Sequence, residues 1–210
     1  MAYTDYQYLY PPRPEKKIPV DGLGYYENRG WYAQAKKNGT NTVIFARGLE
    51  VIFKTRHGSE ADHRAWAPLP EHFRFFQSSN LKWNVYCAEL LHSKTPHIKH
   101  QLYIYDQIVK NGEHLTETTF AERQQLLHSA WPSTADLGDQ VRVDPYITVA
   151  KSFDRDFRGL FKKLKTVEQG GADEGLVLKN PAGKLRSCIT ADSNCGWQVK
   201  CRIPHKNYSF

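Results

Sequence analysis

Glu174-Gly175-Leu176-Val177-Leu178-Lys179 is a short β-prone segment with a carboxylate at one end and an ammonium at the other. A second short strand, Trp197-Gln198-Val199-Lys200-Cys201-Arg202, follows it and also carries cations. Working back, residues 83–90 and 101–109 read as strands, the first ending near Glu89 and the second holding Tyr103-Ile104-Tyr105-Asp106. Further back, residues 31–35, 42–47 and 51–55 are β-prone, with Asn38-Gly39 and Arg47-Gly48 as turns between them. Lys36-Lys37-Asn38-Gly39-Thr40-Asn41 therefore places a lysine pair at a strand end, just before a glycine turn.

Two helices are marked. Thr119 and Glu122 match a capping box opening residues 120–130. Phe153, Phe157, Leu160, Phe161 and Leu164 form one apolar helical face, with Gly170-Gly171 just beyond. Residues 59–80 read as irregular. Residues 1–20 read as an extended arm or docked edge strand, with Tyr6, Tyr8 and Tyr10 alternating before Pro11-Pro12-Arg13-Pro14. The expected organisation is an arm over 1–25 and one domain over 26–210. The class is α+β with mainly antiparallel sheet.

Composition narrows the function classes. Hydrophobic residues are 40% and aromatics 13% of the 210, enough for a globular core. No apolar run approaches the ~20 residues of a membrane span, and the start lacks the basic-then-apolar order of a signal peptide. Cys87, Cys188, Cys195 and Cys201 form no Cys-x-x-Cys pair, so they read as reduced thiols of a cytoplasmic protein rather than zinc ligands. A net charge of +7 favours a polyanionic partner, on a folded surface rather than a tail.

These elements, in this order, resemble the covalent nucleotidyltransferase superfamily of DNA ligases, RNA ligases and capping enzymes. The matches are Lys36 to Gly39, Arg56, Glu89, Tyr105-Asp106, Glu174 to Lys179, and Lys200 to Arg202. The resemblance implies an ATP-grasp-like nucleotidyltransferase domain of two antiparallel sheets with flanking helices and an ATP pocket between them. It implies that Lys36 attacks the α-phosphorus of ATP, releases pyrophosphate and carries AMP. The AMP then passes to a 5′-phosphate, and a 3′-hydroxyl displaces it to seal the strands.

The residue types suit those roles. Lys179, Lys200 and Arg202 would hold phosphates and favour an uncharged lysine nucleophile. Glu174 and Glu89 are hard oxygen ligands for Mg²⁺ (or Mn²⁺), or partners for the ribose. Arg56 would bind the ribose or a strand phosphate. Tyr105 would stack on adenine with Val177 on the other face, and Tyr103 is the alternative platform two residues away. Asp106 would point away and be structural. Lys37 is the rival of Lys36; if the strand continues, only one of them faces the pocket. The spacing to Gly39 selects Lys36.

The branch is mixed. Lys36 to Asn41 is closer to the phage RNA ligase 2 group, while residues 105–106 through 120–123 resemble ATP-dependent DNA ligases. RNA ligase is preferred, with DNA ligase the alternative. A silent nucleic-acid-binding protein on the same fold, or a transferase that stops after AMP transfer, are the other readings. Eight residues follow Arg202, so no C-terminal OB domain is expected, and a partner or further domain would complete the enzyme. The basic loop 91–100 offers Lys94 and Lys99 to a nucleic acid strand. A monomeric enzyme of the cytoplasm, of virus or phage origin, fits this reading.

Overall fold

The computed structural model describes residues 11–55, 66–95, 97–166, 172–185 and 194–204. Arg56 and the tyrosines at 6, 8 and 10 lie outside them. Two sheets face each other. The smaller has the order β1 (Arg13–Lys17), β12 (Asn194–Arg202), β11 (Asp173–Lys179), β2 (Tyr32–Lys37). The larger runs β4 (Glu50–Thr55), β3 (Thr40–Arg47), β5 (Asn84–Leu91), β6 (Gln101–Lys110), β10 (Ile147–Ala150), β9 (Gln140–Asp144), β8 (Ala135–Asp136). The two-residue β7 (Glu113–His114) pairs with β6. Pairing is antiparallel except for β1 with β12 and β6 with β10. The expected pair of antiparallel sheets is thus two mixed ones, because β1 returns beside β12 in the smaller sheet and β10 lies parallel beside β6 in the larger.

Period-2 alternation explains the smaller sheet. Ala33 and Ala35, Leu176 and Leu178, and Val199 and Cys201 all point to one side. There they pack on α1 (Leu23–Glu27) and α4 (Phe157–Thr166) through Leu23, Phe157, Phe161 and Leu164. The alternate residues Gln34 and Lys36, Val177 and Lys179, and Gln198 and Lys200 turn toward the larger sheet. The larger sheet buries its far face against α2 (Pro70–Phe76) with Trp66, Phe53, Tyr86 and Trp131. A third cluster, including Val43, Phe45, Trp83 and Ile108, fills one end of the gap between the sheets.

α3 (Phe120–Ala130) opens on the expected capping box. Glu122 N–H donates to Thr119 Oγ1 at 3.3 Å and Thr119 N–H to Glu122 Oε2 at 2.8 Å. Its buried face carries Arg123 and Gln124 beside Phe120 and Leu127, so apolar periodicity alone reads it poorly. α4 starts later than the apolar spacing suggests. Phe153 is paired with Ala33 as a β-bridge, with N–H···O distances of 2.8 and 2.9 Å in the two directions. The helix begins after Asp156, whose N–H, with that of Phe157, donates to the Glu27 carboxylate at 2.8 and 3.1 Å. Within the stretch read as irregular, α2 forms because Pro70 sits at the first helical turn, where its missing N–H costs nothing. The His72 ring then accepts from Leu69 N–H at 2.9 Å.

Cys87 and Cys201 are free and buried. Cys195 is disulfide-bonded, which corrects the expectation of reduced thiols throughout. Zinc-spacing rules do not say which sulfurs a fold brings together.

Gly175 has φ +130°, and a Cβ there would meet Cys201 O at 2.1 Å. Gly175→Ala is expected to destabilise the domain by about 2 kcal/mol or more through strain and strand separation. Urea denaturation of the two proteins measures it.

Candidate active site

The inner faces of the two sheets enclose a cavity of about 710 Å³. Lys36, Glu89, Lys94, Tyr103, Tyr105, Glu174, Val177, Lys179 and Lys200 all line it. Arg202 stands behind Glu174, with Nη2 at 3.5 Å from Oε2. Lys99 is exposed and donates to His92 O at 2.8 Å, within its own loop.

β2 delivers Lys36. The strand runs two residues beyond the expected end, through Lys37, so its neighbouring lysines diverge. Lys36 Nζ lies 2.5 Å from Glu174 Oε2. Lys37, which also edges the cavity, is held by Asp139 and Asp173, with Nζ at 2.6 and 2.8 Å from their carboxylates. Burial works against the Lys37 ammonium, yet the charges of Asp173 and Asp139 outweigh it and hold its pKa above the ordinary lysine value. The partner of Lys36 arrives by a bulge: Lys36 pairs with Gly175 and Lys37 with Asp173, leaving Glu174 as the extra residue.

The turn glycine is required by β5. A Cβ on Gly39 would meet Leu90 O at 2.4 Å. Gly39 N–H donates to Glu89 Oε1 at 3.1 Å, and Lys94 Nζ to Gly39 O at 2.6 Å. Lys94 thus grips the segment after the nucleophile candidate as well as edging the cavity.

Asn41, Glu89 and Tyr103 form one row across β3, β5 and β6. Tyr103 is buried and donates its hydroxyl to Ala35 O at 3.1 Å, tying the two sheets together. Tyr105 is only half buried, receives Asn41 Nδ2 at its hydroxyl at 2.6 Å, and lies opposite the Val177 strand. Of the two tyrosines, the fixed one is Tyr103.

Asp106 is structural as expected, but it does not point away. A bulge at Tyr105 lets Asp106 pair with Cys87 on the inner side. There it meets Arg123 Nε at 2.9 Å and Nη2 at 3.2 Å, with both side chains fully buried. Lys179 is buried nearby, its Nζ 5.0 Å from the Tyr105 ring centre and 4.6 Å from that of Phe120.

Electrostatics separate the charged groups. Burial lowers Lys179 to about 8, and the Arg123 charge adds to this while Asp106 opposes it. Burial also lowers Lys200, helped by Arg202, Lys36 and Arg13. Burial pushes Glu89 up to about 7 against the pull of Lys36 and Lys94, and the Glu174 charge pushes the same way. The folded Glu89 thus keeps a proton that the unfolded chain has lost between about 4.5 and 7. Stability contributed at this residue falls as pH rises through that window. In chelator-treated protein, the melting temperature of Glu89→Gln is expected to fall less steeply than wild type over the same range.

Sequence reading passed over Gln34, Gln198 and Arg13, all of which line the cavity. Gln34 and Gln198 each lie two residues before a chosen lysine, so strand alternation would have found them. Arg13 had no such signal, because only the β1–β12 pairing brings it there. Asn41 Oδ1 and Gln198 Nε2 are buried on the cavity wall with no hydrogen-bond partner among the described residues. Two orphaned polar atoms facing one cavity suit a polar ligand.

No family model and no curated protein matches the chain. Among solved structures, a mycobacterial DNA ligase D complexed with ATP and MES superposes with a TM-score of 0.63 at 16% identity, over 96% of this chain and 62% of that one. The fold is that of this DNA ligase structure. The ligase domain of M. tuberculosis LigD superposes equally well, with a TM-score of 0.63 at 16% identity, over 96% of this chain and 61% of that one. The chain spans about three-fifths of those ligase structures. No described helix is long and apolar enough to cross a membrane.

Proposed function

We propose that the chain is an ATP-dependent polynucleotide ligase in which Lys36 carries AMP. The observation that carries this reading is the convergence on one cavity of Lys36, Glu174, Glu89, Lys179 and Lys200, drawn from both sheets. The Lys36 Nζ lone pair attacks the α-phosphorus of ATP. The bond to the bridging oxygen breaks, pyrophosphate leaves, and the lysine proton is lost. A 5′-phosphate oxygen of the nucleic acid next takes the AMP from Lys36, which recovers a proton. A 3′-hydroxyl then attacks the activated 5′-phosphorus and releases AMP. Each step is transfer at phosphorus, so the protein supplies position and charge.

Lys179 and Lys200 hold phosphate oxygens, and Arg202 keeps Glu174 in place. Arg56 and Lys99 contact the strand, while Lys94 serves both the strand and the Gly39 carbonyl. Tyr105 and Val177 sandwich the adenine, with Tyr103 as the rigid floor. A divalent cation suits the donor set: the Glu174 charge disfavours ionisation of Glu89 beside it. Among the described residues no cluster of three or more ligating side chains occurs. Mg²⁺ or Mn²⁺ bound by these two carboxylates would therefore draw further ligands from nucleotide phosphate and water, and would neutralise the charge that develops there.

The test is incubation with α-labelled ATP, or GTP as control, followed by denaturing electrophoresis. Label from ATP retained on the chain supports the reading. No label at high enzyme concentration removes it and leaves the silent nucleic-acid-binding alternative. Nicked duplexes with RNA or DNA on either side of the nick then settle the substrate. RNA is preferred because of the Lys36 to Asn41 string, and the DNA ligase fold neighbours keep DNA in the comparison.

A further inference from the structure

We propose that Lys37 is a positioning residue for lysyl-AMP formation, acting through a buried cation–dicarboxylate clamp that fixes Lys36 and Glu174 against each other. This rests on the ligase reading of Lys36 given above.

The clamp has three members on three segments. Lys37 ends β2, Asp173 begins β11, and Asp139 lies in the turn before β9 of the other sheet. The Lys37 side chain is 2% exposed and that of Asp173 5%. A charge so far from water is held only where opposite charges surround it. The Tyr103 ring, 5.3 Å below Nζ, is one wall of the clamp, and Tyr103 bonds Ala35 O on the nucleophile strand. Asn38 N–H donates to Ala172 O at 2.7 Å, so the backbone beyond Lys37 is pinned to the same neighbour.

The β-bulge gives the clamp its leverage. Asp173 and Gly175 are paired with Lys37 and Lys36, and Glu174 alone is looped out between them. Glu174 is therefore suspended between an ion pair on one side and a glycine at φ +130° on the other. Its carboxylate reaches Lys36 Nζ at 2.5 Å only in that register. Loss of the Lys37–Asp173 contact frees the bulge to slide one residue, which would carry Glu174 to the opposite face. Asp139 adds a tether from the larger sheet, so the clamp also sets the distance of Lys36 from the Glu89 wall. Lys37 edges the same cavity, but its ammonium is held by the Asp139 and Asp173 carboxylates.

The experiment separates the first chemical step from the last in the full-length chain. Three proteins are compared with wild type: Lys37→Arg, Lys37→Met, and Lys37→Met with Asp173→Asn. The double variant removes one cation and one anion, so it keeps the net charge of the cluster and leaves only Asp139, whose side chain is 16% exposed, without Lys37. Read-outs are the rate of lysyl-AMP formation from labelled ATP, the rate of sealing of a nick already adenylated at its 5′-phosphate, and the melting temperature. The last chemical step does not use Lys36 as nucleophile.

The expected result is a fall of about 100-fold in lysyl-AMP formation for the double variant, the scale of an ångström-sized misplacement. Its melting temperature should stay within roughly 4 °C of wild type, and sealing of the pre-adenylated nick within about threefold. Lys37→Arg, which keeps the charge, should recover most of the first-step rate. Equal loss of both steps, or no loss of the first step in the folded double variant, would overturn the proposal. So would loss of the first step that Lys37→Arg does not relieve. If Lys37→Met alone fails to fold, the double variant and Lys37→Arg still decide. Absence of lysyl-AMP in wild type would instead remove the ligase reading itself, a distinct outcome.

Discussion

Lys36→Ala should form no lysyl-AMP: label from α-labelled ATP is expected to fall to background, a loss of at least about 10³-fold. Neither Lys37 nor Lys179 is placed to replace it. Lys37 is locked between Asp139 and Asp173 and stays charged. Lys179, with a pKa near 8, is buried beside the Tyr105 and Phe120 rings. The fold should tolerate the change. Lys36 and Glu174 retain 20% and 15% side-chain exposure, and Arg202 remains 3.5 Å from the Glu174 carboxylate. A stability loss of about 1 kcal/mol or less is expected, because a water-accessible pair contributes little. Label that survives in Lys36→Ala and disappears in Lys37→Ala would show that the register of β2 has been misread.

Arg123→Met should produce the largest loss of stability. The guanidinium is fully buried and pairs twice with Asp106. It also donates to Thr118 O at 2.6 Å and Gly183 O at 3.3 Å, with its centre 5.3 Å from the Trp197 ring. Removing it strands the Asp106 carboxylate and two carbonyl oxygens in a dry layer. A cost of about 3–5 kcal/mol follows, because the buried carboxylate loses its paired cation and keeps the Gln107 N–H, 2.9 Å from Oδ1, as a donor. In a domain of this size that lowers the melting temperature by roughly 10 °C or more. The double variant Arg123→Met with Asp106→Leu should recover much of the loss, since an apolar pair replaces the ionic one. A double variant no more stable than the single one would show that Arg123 acts mainly through the Thr118 and Gly183 carbonyls.

Much of this molecule is legible in its sequence, for physical reasons that differ by element. β3, β4, β5, β6, β11 and β12 alternate or run apolar between turn residues, so pairing and burial agree with local preference. Thr119 and Glu122 satisfy their own helix end and need no tertiary context. Lys36, Glu89, Glu174, Lys179 and Lys200 were identified as an ordered set, and the two sheets bring them to one cavity. What stayed hidden depends on pairings between distant segments. Phe153 keeps helical spacing yet bonds Ala33, 120 positions earlier in the chain. Asp106 follows Tyr105 on the inner side only because of a bulge, which period-2 counting cannot anticipate. α2 is seven residues of aromatic-rich chain whose helical form depends on Pro70 at its start and on packing against Phe53 and Trp66. Strands β8 to β10 are short, and two of them hold mostly half-exposed residues, so neither run nor alternation marks them.

The pairing of β1 with β12 bears on how the site comes into being. The larger sheet draws its strands from a contiguous stretch between Thr40 and Ala150, so it can form while the rest of the chain is still being made. The smaller sheet joins segments from Arg13–Lys17 and Tyr32–Lys37 to others that emerge after Asp173. Its contacts are the most distant in the molecule and close the longest loops. β2 with its lysine must therefore wait, unpaired on that edge, for more than half of the chain to be synthesised. On the proposed ligase reading the site is completed late in folding, and a nascent chain stopped before β11 would hold the Glu89 wall but no Glu174 against which to set Lys36.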